Sequence, residues 1–149
     1  MPLTTRLLTF LDRVAPPRTV HAHCDLPCGV YDPELARIEA ESALRAMEKY
    51  HASDDEVFRQ RCVLIKEQRT DIAKHHISIL WSDYFKPPHL EQFPDLHDLA
   101  WRTLKQCTKV KASVDAEDAR ELLRLIDQID EAWKATGGAE TTRVNGRPS

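Results

Sequence analysis

The chain has 149 residues, a net charge of −3, 42% hydrophobic and 30% charged side chains. That length fits one domain with a real core. The charge offers nothing to nucleic acid or an anionic membrane surface, and no stretch approaches the roughly 20 apolar residues of a membrane helix. Glycine is scarce, and a chain rich in Ala, Leu, Glu and Arg leans toward helix.

Residues 1–22, MPLTTRLLTFLDRVAPPRTVHA, carry Arg6, Arg13 and Arg18 against one acid, Asp12. The apolar patch Leu7 to Leu11 is shorter than the core of a secretory signal. Val20-His21-Ala22 has the look of a small-residue cleavage site. The segment reads either as a frayed N-terminal arm or as a leader removed after Ala22. The short patch favours a cytoplasmic precursor.

His23-Cys24-Asp25-Leu26-Pro27-Cys28-Gly29-Val30-Tyr31-Asp32 follows. It gathers two thiols, an imidazole and a carboxylate, with Pro27 and Gly29 to bend the backbone. Helix one is expected from Asp32-Pro33-Glu34, with Asp32 as cap and Pro33 at the first helical position. Its stripe is Ala36, Ala40, Ala43, Met47 and Tyr50, widened by Leu35 and Ile38, and it ends near His51. Ser53-Asp54-Asp55-Glu56 has a capping-box pattern and opens helix two, residues 54–83. The stripe Phe58, Cys62, Ile65, Arg69, Ile72, His76 and Ile79 alternates four and three as in a bundle seam.

Lys86-Pro87-Pro88 is a stop, and His89 to Pro94 is a short connection with room for one helical turn. Helix three starts near Asp95 and carries Leu96, Leu99, Ala100, Leu104, Cys107 and Val110. Helix four starts near Asp115 and carries Ala119, Leu122, Ile126, Ile129 and Trp133. Residues 136–149 form a polar tail, expected to be disordered. The fold class is therefore all-α, an antiparallel up-and-down four-helix bundle, with residues 23–135 as the working unit.

The four cysteines do not suit a small secreted scaffold. Cys62 and Cys107 read as buried fillers of helical stripes, and His75 and His76 as bundle histidines. Cys24 and Cys28 sit among other possible ligands. If the chain is cut after Ala22, His23 offers a free amine beside the amide nitrogen of Cys24. With the two sulfurs these make a four-ligand plane, to which the imidazole adds an axial bond. Soft donors in that geometry point to nickel or copper rather than zinc. Asp25 reads equally as a turn residue and as part of the site.

HCDLPCGVYDP resembles the N-terminal hook of the nickel-containing superoxide dismutases. Ala36–Ser42, Ile65–Arg69 and Trp81–His89 resemble later signatures of that family, and the likeness covers roughly residues 23–133. It implies disproportionation of superoxide to oxygen and hydrogen peroxide, with one nickel ion per subunit cycling between Ni(III) and Ni(II). The implied ligands are the His23 amine and imidazole, the Cys24 amide nitrogen, and the Cys24 and Cys28 thiolates. Glu39 and Arg69 are implied as supports of the imidazole, and Tyr31 and Tyr84 as residues of the substrate approach. Tyr31 and the thiolates are candidate proton donors. The resemblance further implies a cis bond at Leu26-Pro27, a homohexamer, and a protease that removes the leader. The competing readings are a non-catalytic carrier or sensor that binds nickel, copper or zinc through the same hook, and a helical adaptor with a redox-active Cys pair.

Overall fold

The chain was analysed as a computed structural model that describes residues 31–138. Helix α1 spans Pro33–His51. Asp32 caps it, its Oδ1 accepting from the Glu34 amide at 2.9 Å, while Pro33 loses no hydrogen bond in the first turn. Ala36, Ala40, Ala43 and Met47 are fully buried, and Leu35 is exposed. Three alanines on one face let neighbouring helices approach closely.

Helix α2 spans Glu56–Ile79 and runs on into a wider π-helical turn, Leu80–Tyr84. Its cap is Asp55 rather than Ser53. Asp55 Oδ1 accepts from the Val57 and Phe58 amides at 2.9 and 3.3 Å, and Ser53 Oγ accepts from the Asp55 amide at 3.2 Å instead. The inward face of α2 also differs from the apolar stripe. Cys62, Lys66, Thr70, Ala73, Ile77 and Leu80 are buried with His76. Phe58, Ile65 and Ile72 are 39%, 40% and 37% exposed.

The physical reason is that polar side chains on the inner face are satisfied. Lys66 Nζ donates to the carbonyls of Lys111 and Ser113 at 2.6 and 2.7 Å, and so caps the end of another helix. Thr70 Oγ1 donates to the Lys66 carbonyl at 2.7 Å. Burial pushes the Lys66 ammonium below its ordinary pKa.

Pro87 and Pro88 both end the preceding segment and open a short helix, α3, Pro87–Gln92. Proline tolerates the first turn because its missing N–H has no partner there. Helix α4 spans Leu96–Ala112 and α5 spans Ala116–Ala135. Asp115 caps α5, its Oδ1 accepting from the Glu117 amide at 2.9 Å. Leu96, Leu99, Ala100, Cys107 and Val110 face the core from α4, and Ala119, Leu122, Ile126, Ile129 and Trp133 from α5. Burial pushes the Cys107 thiol up to about 12, as suits an inert apolar filler.

The four long helices close a ring, α1 against α2 and α5, and α4 against α2 and α5. Cross-helix bonds set the directions. Lys111 pairs with Asp71 and Trp81 with His97, so α2 and α4 are antiparallel. Arg120 pairs with Glu48, and His51 Nε2 meets the Val114 carbonyl at 2.7 Å, so α1 and α5 are antiparallel. This is the expected up-and-down bundle, with no strand among the described residues.

At the α4–α5 turn, Asp118 takes bonds from Lys109 Nζ at 2.7 Å and Ser113 Oγ at 2.6 Å. Burial raises the pKa of this carboxyl, but those bonds outweigh it and leave the net value below the ordinary one. A carboxyl whose folded pKa lies below its unfolded one stabilises the fold above the unfolded pKa. That stabilisation is lost as pH falls through the folded pKa. Asp118→Asn is expected to cost about 1–2 kcal/mol at neutral pH and almost nothing in strong acid. Urea denaturation at pH 7 and pH 2 checks this, and an equal loss at both would remove the charge from the explanation.

Candidate metal centre

Among the described residues, no group of three or more His, Cys, Asp or Glu side chains is gathered as for a metal ion. The soft donors lie in the preceding segment. His23, Cys24, Asp25 and Cys28 fall outside the described residues, as does the Leu26-Pro27 bond. Four of the anticipated residues are described, and the bundle brings them together as two pairs.

The first pair joins α1 to α2. Arg69 Nη1 donates to Glu39 Oε2 at 3.3 Å across the seam. The Arg69 side chain is 41% exposed and that of Glu39 18%. Arg69 is therefore not the buried cation its place in the apolar stripe suggests, since the buried face of α2 is a different one. It still has the carboxylate partner expected of it. A carboxylate already oriented by a guanidinium is the usual support behind an imidazole ligand.

The second pair stands at the end of the bundle, where the chain enters α1 and leaves α2. The rings of Tyr31 and Tyr84 lie 5.7 Å apart. They line a cleft of about 350 Å³ with Asp83, Lys86, His89, Thr136 and Gly137. His89 stacks on Tyr84 at 5.5 Å with the planes tilted by 33°. Its Nδ1 accepts from the Lys86 amide at 3.3 Å, so the neutral ring carries its proton on Nε2. The Tyr84 hydroxyl reaches α5, lying 3.0 Å from Thr136 Oγ1 and 3.3 Å from the Trp133 carbonyl.

Sequence reasoning singled out the two tyrosines and missed the rest of this lining. His89 and Lys86 belong to the Trp81–His89 signature but were given no role. Thr136 carried no signal, because nothing local relates it to Tyr84. A second groove, of about 430 Å³ and lined by Ile38, Phe58, Cys62 and Ile65 among others, opens along the outer side of α1 and α2. It contains none of the anticipated site residues.

The two pairs are within reach of one chain segment. Glu39 lies six helical residues into α1, about 9 Å along its axis at 1.5 Å per residue. Eight residues separate His23 from Tyr31, enough to span about 28 Å when extended. His23 can therefore reach the Glu39–Arg69 pair from the cleft end. Two thiols and an imidazole within six residues are donors of the kind nickel takes, and Glu39 is a carboxylate of the kind that supports an imidazole ligand.

Comparison with known proteins agrees with this chemistry. The family description "Nickel-containing superoxide dismutase" matches residues 18–136. The chain is 54% identical over 122 residues to "Superoxide dismutase [Ni]" of Streptomyces coelicolor, covering 82% of this chain and 93% of that protein. It is 52% identical over 122 residues to the protein of the same name from Streptomyces seoulensis, with the same coverage. A native structure of nickel superoxide dismutase superimposes with a TM-score of 0.76 at 53% identity, over 78% of this chain and all of that one. A further structure, of a Ni-containing superoxide dismutase with the nickel ligation of the oxidised state, gives 0.75 at 52% identity over the same shares. The chain belongs to the nickel-containing superoxide dismutases.

Proposed function

We propose that this superoxide dismutase builds its centre from a processed N-terminus. The nickel is held by the His23 amine and imidazole, the Cys24 amide nitrogen and the Cys24 and Cys28 thiolates, with Asp25 beside them. The carrying observation is the Glu39–Arg69 bond across α1 and α2, which stands within reach of His23 and is ready to hold its imidazole. Removal of residues 1–22 by a protease frees the amine.

Two superoxide anions and two protons give one oxygen and one hydrogen peroxide. Bound nickel supplies reversible one-electron chemistry. Tyr31 and Tyr84 form the approach, and their facing rings narrow the cleft to small anions. His89 and Lys86 put donors at its rim for an anionic substrate, against one carboxylate there, Asp83. Glu39 holds the imidazole in one tautomer and orientation, and Arg69 holds Glu39.

The chains assemble as homo-oligomers, as a hexamer in the reading the resemblance implies, through the apolar outer side of α2. No helix among the described residues is long and apolar enough to cross a membrane, and the short apolar patch in residues 1–22 supports a cytoplasmic precursor.

Glu39→Gln tests the arrangement. It keeps the size of the side chain and removes its charge. Dismutation is expected to fall about 10- to 100-fold, the range seen when such supporting carboxylates are changed, with nickel still bound. Undiminished turnover, measured by pulse radiolysis at equal nickel content, would take the pair out of the site.

A further inference from the structure

We propose that Thr136, the residue capping the C-terminus of α5, is a positioning residue for the substrate cleft. It holds the Tyr84 hydroxyl proton against α5, so that the phenol oxygen meets the cleft as an acceptor. The proposal rests on the reading of Tyr84 as a cleft residue.

The direction of the proton follows from counting donors. Thr136 Oγ1 lies 2.9 Å from the Trp133 carbonyl and 3.0 Å from the Ala132 carbonyl. A threonine hydroxyl has one proton, and its own helix offers it two carbonyls, the nearer at 2.9 Å. In the 3.0 Å contact between Thr136 Oγ1 and the Tyr84 hydroxyl either oxygen can give the proton; with the Thr136 proton on its helix carbonyls, the donor is Tyr84. The Trp133 carbonyl at 3.3 Å is a second, longer acceptor for the same proton. Both groups that α5 offers to this phenol are acceptors. The lone pairs of the phenol oxygen remain for a proton-bearing group in the cleft, such as water, and proton delivery to the substrate falls to that group.

The cap cannot drift. Gly137 has φ +91°, a conformation that favours glycine. Its amide donates to the Lys134 carbonyl at 3.1 Å, and the Gly138 amide to the Trp133 carbonyl at 2.9 Å. These two bonds close the helix as a Schellman turn. Gly138 lies flat on Trp133, so that a Cβ there would fall inside the indole ring. The Tyr84 ring is held from its other sides by His89, Phe85 and Trp133, at 5.5, 5.0 and 6.3 Å. The last turn of the bundle is thus a wall of the cleft.

The test uses the nickel-loaded enzyme labelled with 13C at the tyrosine Cζ. Exchange of the hydroxyl proton with solvent is read from the deuterium isotope shift, and Tyr84→Phe identifies the Tyr84 signal among the three tyrosines. Thr136→Val is expected to speed exchange at Tyr84 about fivefold, the scale of one neutral hydrogen bond. Dismutation is expected to fall by a similar factor, and Thr136→Ser, which keeps the hydroxyl, to restore both. Unchanged exchange in Thr136→Val would overturn the proposal and leave Thr136 as a helix cap alone. Faster exchange with full dismutation in both Thr136→Val and Tyr84→Phe would instead bring down the reading of Tyr84 as a cleft residue.

Discussion

A nickel-loaded chain that begins at His23 is expected to dismutate superoxide, and the same chain with one alanine left ahead of His23 is expected not to. The extra residue converts the terminal amine into an amide. An amine has a lone pair to give a metal, whereas an amide nitrogen must first lose a proton. The imidazole, both thiols and the whole bundle are unchanged, so the comparison isolates one donor atom. The loss is expected to exceed about 100-fold, because changing even an outer-layer partner of a metal site costs 10- to 100-fold. Cys24→Ser and Cys28→Ser remove the soft donors from the other side of the same set and are expected to do at least as much damage. Their helices, read by circular dichroism, should persist, because no described core residue is touched. Pulse radiolysis measures turnover, and elemental analysis the nickel. Full turnover by the extended chain would show that the amine is no ligand and that residues 1–22 need another explanation.

With the proposed assembly running through the outer side of α2, Phe58→Glu with Ile65→Glu is expected to give single chains that remain folded. Phe58, Ile65 and Ile72 recur every seven residues along α2 and are 39%, 40% and 37% exposed. Leu64 and Val57 beside them are 56% and 68% exposed. A contiguous apolar stripe of this kind on a lone chain marks a face that another surface covers. Burying each of these side chains contributes about 2 kcal/mol, and a carboxylate in their place must be buried unpaired or keep the surfaces apart. Because the side chains point away from the core, the monomer loses little of its own packing. Sedimentation velocity reads the outcome, and an assembly of unchanged mass would move the subunit contact to another face.

Much of this protein was settled locally, by residues close together in the chain. Asp32-Pro33 and Asp115 start helices because their carboxylates meet free amides two residues on. Gly137-Gly138 ends one because only glycine fits its turn. The His-Cys-x3-Cys stretch announces a metal because its donors are adjacent in sequence, and the same stretch carries the family likeness. The sequence by itself thus determined the four long helices, their order, the cofactor and the reaction.

Only the tertiary structure decided which side of α2 is inside. Periodicity tells which residues share a face but not what covers it. The more apolar face of α2 lies outside, and the inner one carries Lys66 and Thr70, whose polar atoms find carbonyl acceptors. For the same reason Arg69 is half exposed while still meeting Glu39. The cleft was equally out of view. Tyr84 and Thr136 are 52 positions apart, and no rule of spacing joins them until the bundle folds α5 back against the end of α2.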